Sequence, residues 1–132
     1  MAERGSVLPV LAVLLVAAVA AVALAADLGR FAATVREATF AAEAGAEAGA
    51  AVIDPEAAYR GRLRLDPDPA RAAARDAALL ARPRPGRSVS VFGDATSVCV
   101  TVRDPFRPGL LLVFGVRGTT VEAYSCAVPV RG

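Results

Sequence analysis

The chain has 132 residues, 55% of them hydrophobic, and a formal net charge of +2. That length suits one domain, and acidic and basic residues are interleaved, so no basic stripe is available to follow a nucleic-acid backbone. Histidine is absent, which removes the usual general base near neutral pH and the commonest metal ligand.

Residues Val7 to Ala26 read VLPVLAVLLVAAVAAVALAA, without one charge. At about 1.5 Å of rise per residue, a helix of that length covers about 30 Å, the hydrocarbon thickness of a bilayer. Three readings compete. A core helix apolar all round needs burial on every side. A cleaved secretory signal fits the short leader MAERGS and the Ala23-Leu24-Ala25 pattern, with cleavage after Ala25. The apolar run, however, exceeds the roughly 7–15 residues of a signal core. A retained membrane helix is preferred, because the helical pattern continues through Asp27 into the next segment. Pro9 then falls in the first turn, where a missing N–H costs little. The expected organisation is an N-terminal segment, 1–26, that meets the lipid bilayer, and an extracytoplasmic domain, 27–132. The N-terminus is placed inside because the long polar remainder follows the span. The flanking charges themselves give only a small bias.

Beyond Arg30 the sequence FAATVREATFAAEAGAEAGAAVI continues the helix. Phe31, Val35, Ala38, Ala42, Gly45, Gly49 and Val52 recur at spacings of four and three and share one face. Arg36, Glu43 and Glu47 lie elsewhere on the cylinder. A seam of Ala and Gly permits a close approach, either by the domain's own sheet or by neighbouring subunits. Asp54-Pro55-Glu56 ends or restarts the helix. Asp66-Pro67-Asp68-Pro69 repeats the device, and a second helix is predicted over Pro69 to Arg82 with Asp68 as its N-cap. Pro83 to Gly86 stops it.

The remainder alternates. Ser88 to Phe92, Thr96 to Arg103 and Thr119 to Val128 read as strands, the first two forming a hairpin. Val98, Val100 and Val102 share one face of the second strand. Val121, Ala123 and Ala127 share one face of the third. Cys99 and Cys126 then point away from the valine faces and can meet across paired strands. A bond between them contributes roughly 3 kcal/mol by loop closure; the other reading is two inert thiols. Export past the apolar segment permits a disulfide. Leu110 to Phe114 is an apolar run that packs either on the domain or against a membrane surface or partner.

Catalytic chemistry is not expected. Without histidine there is no Ser-His or Cys-His pair, and no C-x-x-C or P-loop occurs. Asp66 and Asp68 precede prolines and suit capping. Glu43 and Glu47, one turn apart, suit a solvated face better than a cation site. The chain reads as non-catalytic, with no cofactor, metal or small-molecule substrate.

Arg4-Gly5-Ser6, an apolar span containing Pro9, then Asp27-Leu28-Gly29-Arg30 and the Ala-rich helix, taken together, resemble the TadE and TadG-like proteins of tight-adherence (Flp, type IVb) pili. The resemblance implies an α+β, pilin-like architecture with a long N-terminal helix, a shorter helix and a small antiparallel sheet of three or four strands. It also implies a structural role as a pilus-assembly accessory protein or minor pilin at the cell surface, contacting other pilus subunits through the N-terminal helix. In pilin-like members a prepilin peptidase cuts after a Gly, and a Glu stands five residues on. Gly5 and Ser6 occupy the cleavage positions here, but Val10 stands where that Glu would be. This departure favours a retained anchor over a processed filament subunit. The rival is a secreted binding module released after Ala25.

Overall fold

The computed structural model describes residues 7–130. One helix, α1 (Val7–Ala50), runs unbroken for 44 residues. Its composition explains this: Ala, the strongest helix former, dominates. The first half is bare, with Val7, Leu11, Leu14 and Val22 among many apolar side chains exposed round the cylinder. Among the described residues, α1 is the helix long and apolar enough to cross a membrane. The second half is packed into the domain. The helix ends at Ala50, where the Val52 N–H closes back on the Gly49 carbonyl.

Two short devices follow. Asp54 caps α2 (Pro55–Tyr59), its carboxylate accepting from the N–H groups of Glu56 and Ala57, as its sequence position predicts. The next helix, α3 (Pro67–Leu80), departs from its predicted bounds of Pro69 to Arg82. Its N-cap is Asp66 rather than Asp68. Both prolines fit inside the first turn, whose N–H groups have no intrahelical partner to lose. Asp68 instead sits in that first turn and pairs with Arg71. The far end stops earlier because Ala81 already turns to extended backbone, with ψ 102°, and Arg82 follows with a left-handed φ of 49°.

Three strands, β1 (Ser88–Gly93), β2 (Val98–Phe106) and β3 (Thr119–Ala127), form an antiparallel sheet in chain order. Alternation sets the register. Val98, Val100 and Val102 point inward and are fully buried, with Val89 and Val121 beside them. α1 lies over β2 and β3, and α3 lies over β1 and β2. The layout is α+β, with the sheet covered on one face by two helices. The other face is open. It carries Phe92, Tyr124 and a disulfide joining Cys99 to Cys126, which are direct partners across β2 and β3. β2 runs three residues past its predicted end, through Asp104-Pro105-Phe106. Pro105 is tolerated in this central strand because β1 pairs only as far as Arg103, so the strand has a free edge there.

The small-residue seam of α1 is occupied within the chain. Ala38, Ala42, Gly45 and Gly49 are buried as predicted. Phe31 and Val35 are each 36% exposed and Val52 is half-buried. Thr34, Ala41, Ala46 and Ala50 join the buried set instead. The buried face is wider than the seam because a helix meets one flank and a sheet the other. A Cβ added at Gly45 would stand 2.8 Å from the Ala74 carbonyl oxygen and 2.9 Å from the Ala78 Cβ. Neither atom belongs to a flexible side chain, so Gly45→Ala must push α3 away. A net loss of about 1–2 kcal/mol is expected, as overpacking outweighs the gain in helix propensity. At Gly29 the added Cβ meets nothing within 4 Å. Gly29→Ala is expected to stabilise by about 0.5–1 kcal/mol. Denaturant unfolding of the two variants in detergent should therefore give opposite signs.

Candidate interaction site at the end of the apolar run

Asp27 is the first charge after the apolar run, and its residue is 3% exposed. What buries it is a turn from the other end of the sequence. The Gly109 N–H donates to Asp27 Oδ1 at 2.9 Å, and the Leu111 N–H donates to Oδ2 at 2.7 Å. The backbone N–H of Leu111 is the main reason the carboxyl is held below its ordinary range; burial opposes this, and Gly109 and Arg30 assist. Arg30 stands 3.7 Å from the same carboxylate and covers the Gly109 backbone, where any side chain would displace it.

The turn so held is a 3-10 helix, Leu111–Phe114, closed at Gly115 in a left-handed conformation with φ 81°. Three N–H groups of the turn and its closure are engaged internally: Val113 donates to the Leu110 carbonyl, Gly115 to Leu112 and Val116 to Leu111. The predicted choice for this run, packing on the domain or lying at a surface, resolves into an intermediate arrangement. The turn leans on the apolar half of α1, leaving a cleft of about 390 Å³ between Ala18, Val19, Val22 and Ala23 on the helix and Leu110, Val113 and Phe114 on the turn. Its side chains remain mostly exposed, Val113 at 84%.

About one helical turn beyond Asp27 along α1, on the domain side, lies a second groove of about 610 Å³. Arg30, Arg84 and Arg107 border it, with Thr34 and Phe106 below. Phe31 packs edge-on against Phe106, ring centroids 5.2 Å apart. The arginine-rich connection after α3 is stitched to its surroundings. Arg84 bonds Glu37 at 2.7 Å, and Arg82 lies over the Phe40 ring. Arg87 makes a two-pronged pair with Asp104, Nε to Oδ1 at 2.8 Å and Nη2 to Oδ2 at 2.7 Å. These side chains are 2% and 0% exposed. Its third nitrogen donates to the Ala81 carbonyl at 2.7 Å, closing the end of α3. The hydrogen bonds it donates to Asp104 raise the proton affinity of this guanidinium above its ordinary value.

The sequence-predicted residues are distributed unevenly over this region. Gly5 and Ser6 lie outside the described residues. Ala25 is exposed within the unbroken helix. Of the motif Asp27, Gly29 and Arg30, the two charged residues meet the turn, while Gly29 faces open space. Cys99 and Cys126 are bonded on the open sheet face, remote in register from the turn. Glu43 and Glu47 are exposed on α1. Sequence reasoning missed the pairing of Asp27 with the Gly109–Leu111 backbone, which no local pattern encodes. It also missed the Arg87–Asp104 pair. A signal for that one exists: Asp104 continues the inward parity of Val98, Val100 and Val102. No protein-family model, no curated protein and no solved structure matches the chain.

Proposed function

We propose that the protein is a membrane-anchored accessory protein or minor pilin of a tight-adherence pilus or related secretion apparatus. In this reading α1 spans the membrane once, the domain stands outside the cytoplasm, and the role is structural. The observation that carries it is the continuity of α1: one helix is apolar and bare over its first half and sunk in a helix-and-sheet domain over its second. The Gly/Ala face of the second half is already taken by α3 and the sheet, so contacts with other pilus subunits fall to the bare half.

The alternative, a soluble module released after Ala25, fits the geometry poorly. Cleavage there would leave Asp27 in a fraying first turn. It would also strip Ala18 to Ala23 from beneath Leu110, Val113 and Phe114.

Mass spectrometry of the mature chain is expected to find the apolar segment retained. A mass beginning at Ala26 would discard the anchor, and one beginning at Ser6 would move the chain to the processed pilins. Deletion of the gene should abolish or sharply reduce surface pili in electron micrographs, and undiminished piliation would refute the assembly role.

A further inference from the structure

We infer that Leu110–Phe114 is a second, interfacial membrane anchor, sunk into lipid on the domain's side of the bilayer beside α1, with Arg30 and Arg107 against the phosphates. This rests on the reading of α1 as a membrane span.

Depth is the first reason. The turn is tied to α1 at Asp27 and reaches back along the helix as far as Ala18. Nine residues of helix correspond to about 13 Å along the axis. If Val7 to Ala26 fill the hydrocarbon, then Val113 and Phe114 lie at the level of acyl chains, not of water. Interfacial elements commonly sink about 5–10 Å.

Backbone accounting is the second. Irregular chain at that depth is tolerated only if its polar groups find partners. Here the donors of Gly109 and Leu111 are taken by Asp27, and those of Val113, Gly115 and Val116 by the turn's own carbonyls. The carboxylate that accepts two of them is itself satisfied and shielded.

Side-chain placement is the third. Leu110, Leu112, Val113 and Phe114 are each more than half exposed, although the turn rests against α1. Arg107 lies on one side of them in sequence and Arg117 on the other. Arg30 and Arg107 share the groove one helical turn above Asp27. An apolar tip beneath a collar of cations matches the order of a leaflet, acyl chains below and phosphates above. The cleft between the turn and Ala18 to Ala23 is open and apolar, and an acyl chain fits its chemistry.

The chain contains no tryptophan, so one introduced indole reports alone. Full-length Val19→Trp, Val113→Trp and Tyr59→Trp variants would be reconstituted in phosphatidylcholine–phosphatidylglycerol vesicles whose acyl chains carry bromine. Val113 and Tyr59 are 84% and 92% exposed, so both accept the larger side chain; Leu112→Trp is the second reporter should Val113→Trp misfold. Val19→Trp and Val113→Trp are expected to be quenched severalfold relative to unbrominated lipid, and Tyr59→Trp to be unaffected. Quenching at Val19 without quenching at Val113 and Leu112 overturns the inference and leaves the anchor standing. A blue-shifted but unquenched Val113→Trp means that protein covers the turn, which also overturns it. Loss of quenching at Val19 itself removes the span and the inference together.

Discussion

Replacing Arg87 with methionine is expected to cost about 3–5 kcal/mol, the loss typical when one member of a buried ion pair is removed. The carboxylate of Asp104 is fully buried and receives both its charged hydrogen bonds from this one guanidinium. Without it, a carboxyl group is left in the core without the donors that satisfied it. Arg87 also closes the Ala81 carbonyl, so the end of α3 loosens at the same time. For a domain of about 100 residues each kcal/mol moves Tm by roughly 4–8 °C, so the variant should melt more than 10 °C below the parent. Circular dichroism of the detergent-solubilised chain measures this directly. The double variant Arg87→Met, Asp104→Leu should recover much of the loss, because no charge is then stranded. A single variant that melts within a few degrees of the parent would show that the pair is not the fastening described here.

Loss of the disulfide is the second large effect. Cys99 and Cys126 lie 27 residues apart in sequence, and their bond closes the loop that contains the 3-10 turn. The loop-closure relation gives about 3.5 kcal/mol for such a separation. The double replacement Cys99→Ala, Cys126→Ala should therefore melt well below the parent. The open sheet face makes the bond reachable, with Cys126 exposed and Cys99 half-buried. Reductant added to the parent should therefore reproduce the drop, and added to the double variant should do nothing. Intact mass without reductant should fall two hydrogens short of the free-thiol mass. Alkylation of both cysteines in unreduced protein would remove the disulfide and its share of stability.

The parts of this architecture that come from local periodicity were legible in the sequence. The valines of β2 alternate, so their burial and the outward aim of Cys99 follow from the pleat alone. The same logic applied to β3 placed Cys126 opposite. The Ala and Gly positions of α1 follow from helical spacing. What escaped came from tertiary context. Asp104-Pro105 reads locally as a turn signal, yet β2 continues through it because its neighbour β1 begins only at Ser88, opposite Arg103. Asp68-Pro69 reads as a cap, yet the helix starts one Asp-Pro earlier, since each proline fits the first turn equally well. The site is less legible than the fold. Asp27 and the Leu111 amide it accepts from are 84 residues apart, and nothing in either segment names the other. Arg30, Arg84 and Arg107 come together only when the end of α1, the connection after α3 and the end of β2 are folded against one another.

The 44 residues of α1 contain no hinge. Proline occurs only at Pro9, within the first turn, and Gly29 lies in regular helix. A rod of that kind transmits angle rather than absorbing it. Whatever grips the first half, lipid or a neighbouring subunit, therefore sets the bearing of the sheet packed on the second half of a shaft about 65 Å long by helical rise. The turn held at Asp27 adds a second point of support beside the shaft. With the turn seated in lipid as inferred above, the two points set the inclination of α1 and which side of the domain turns toward the bilayer, and so how far the open face with Phe92, Tyr124 and the disulfide stands from the lipid.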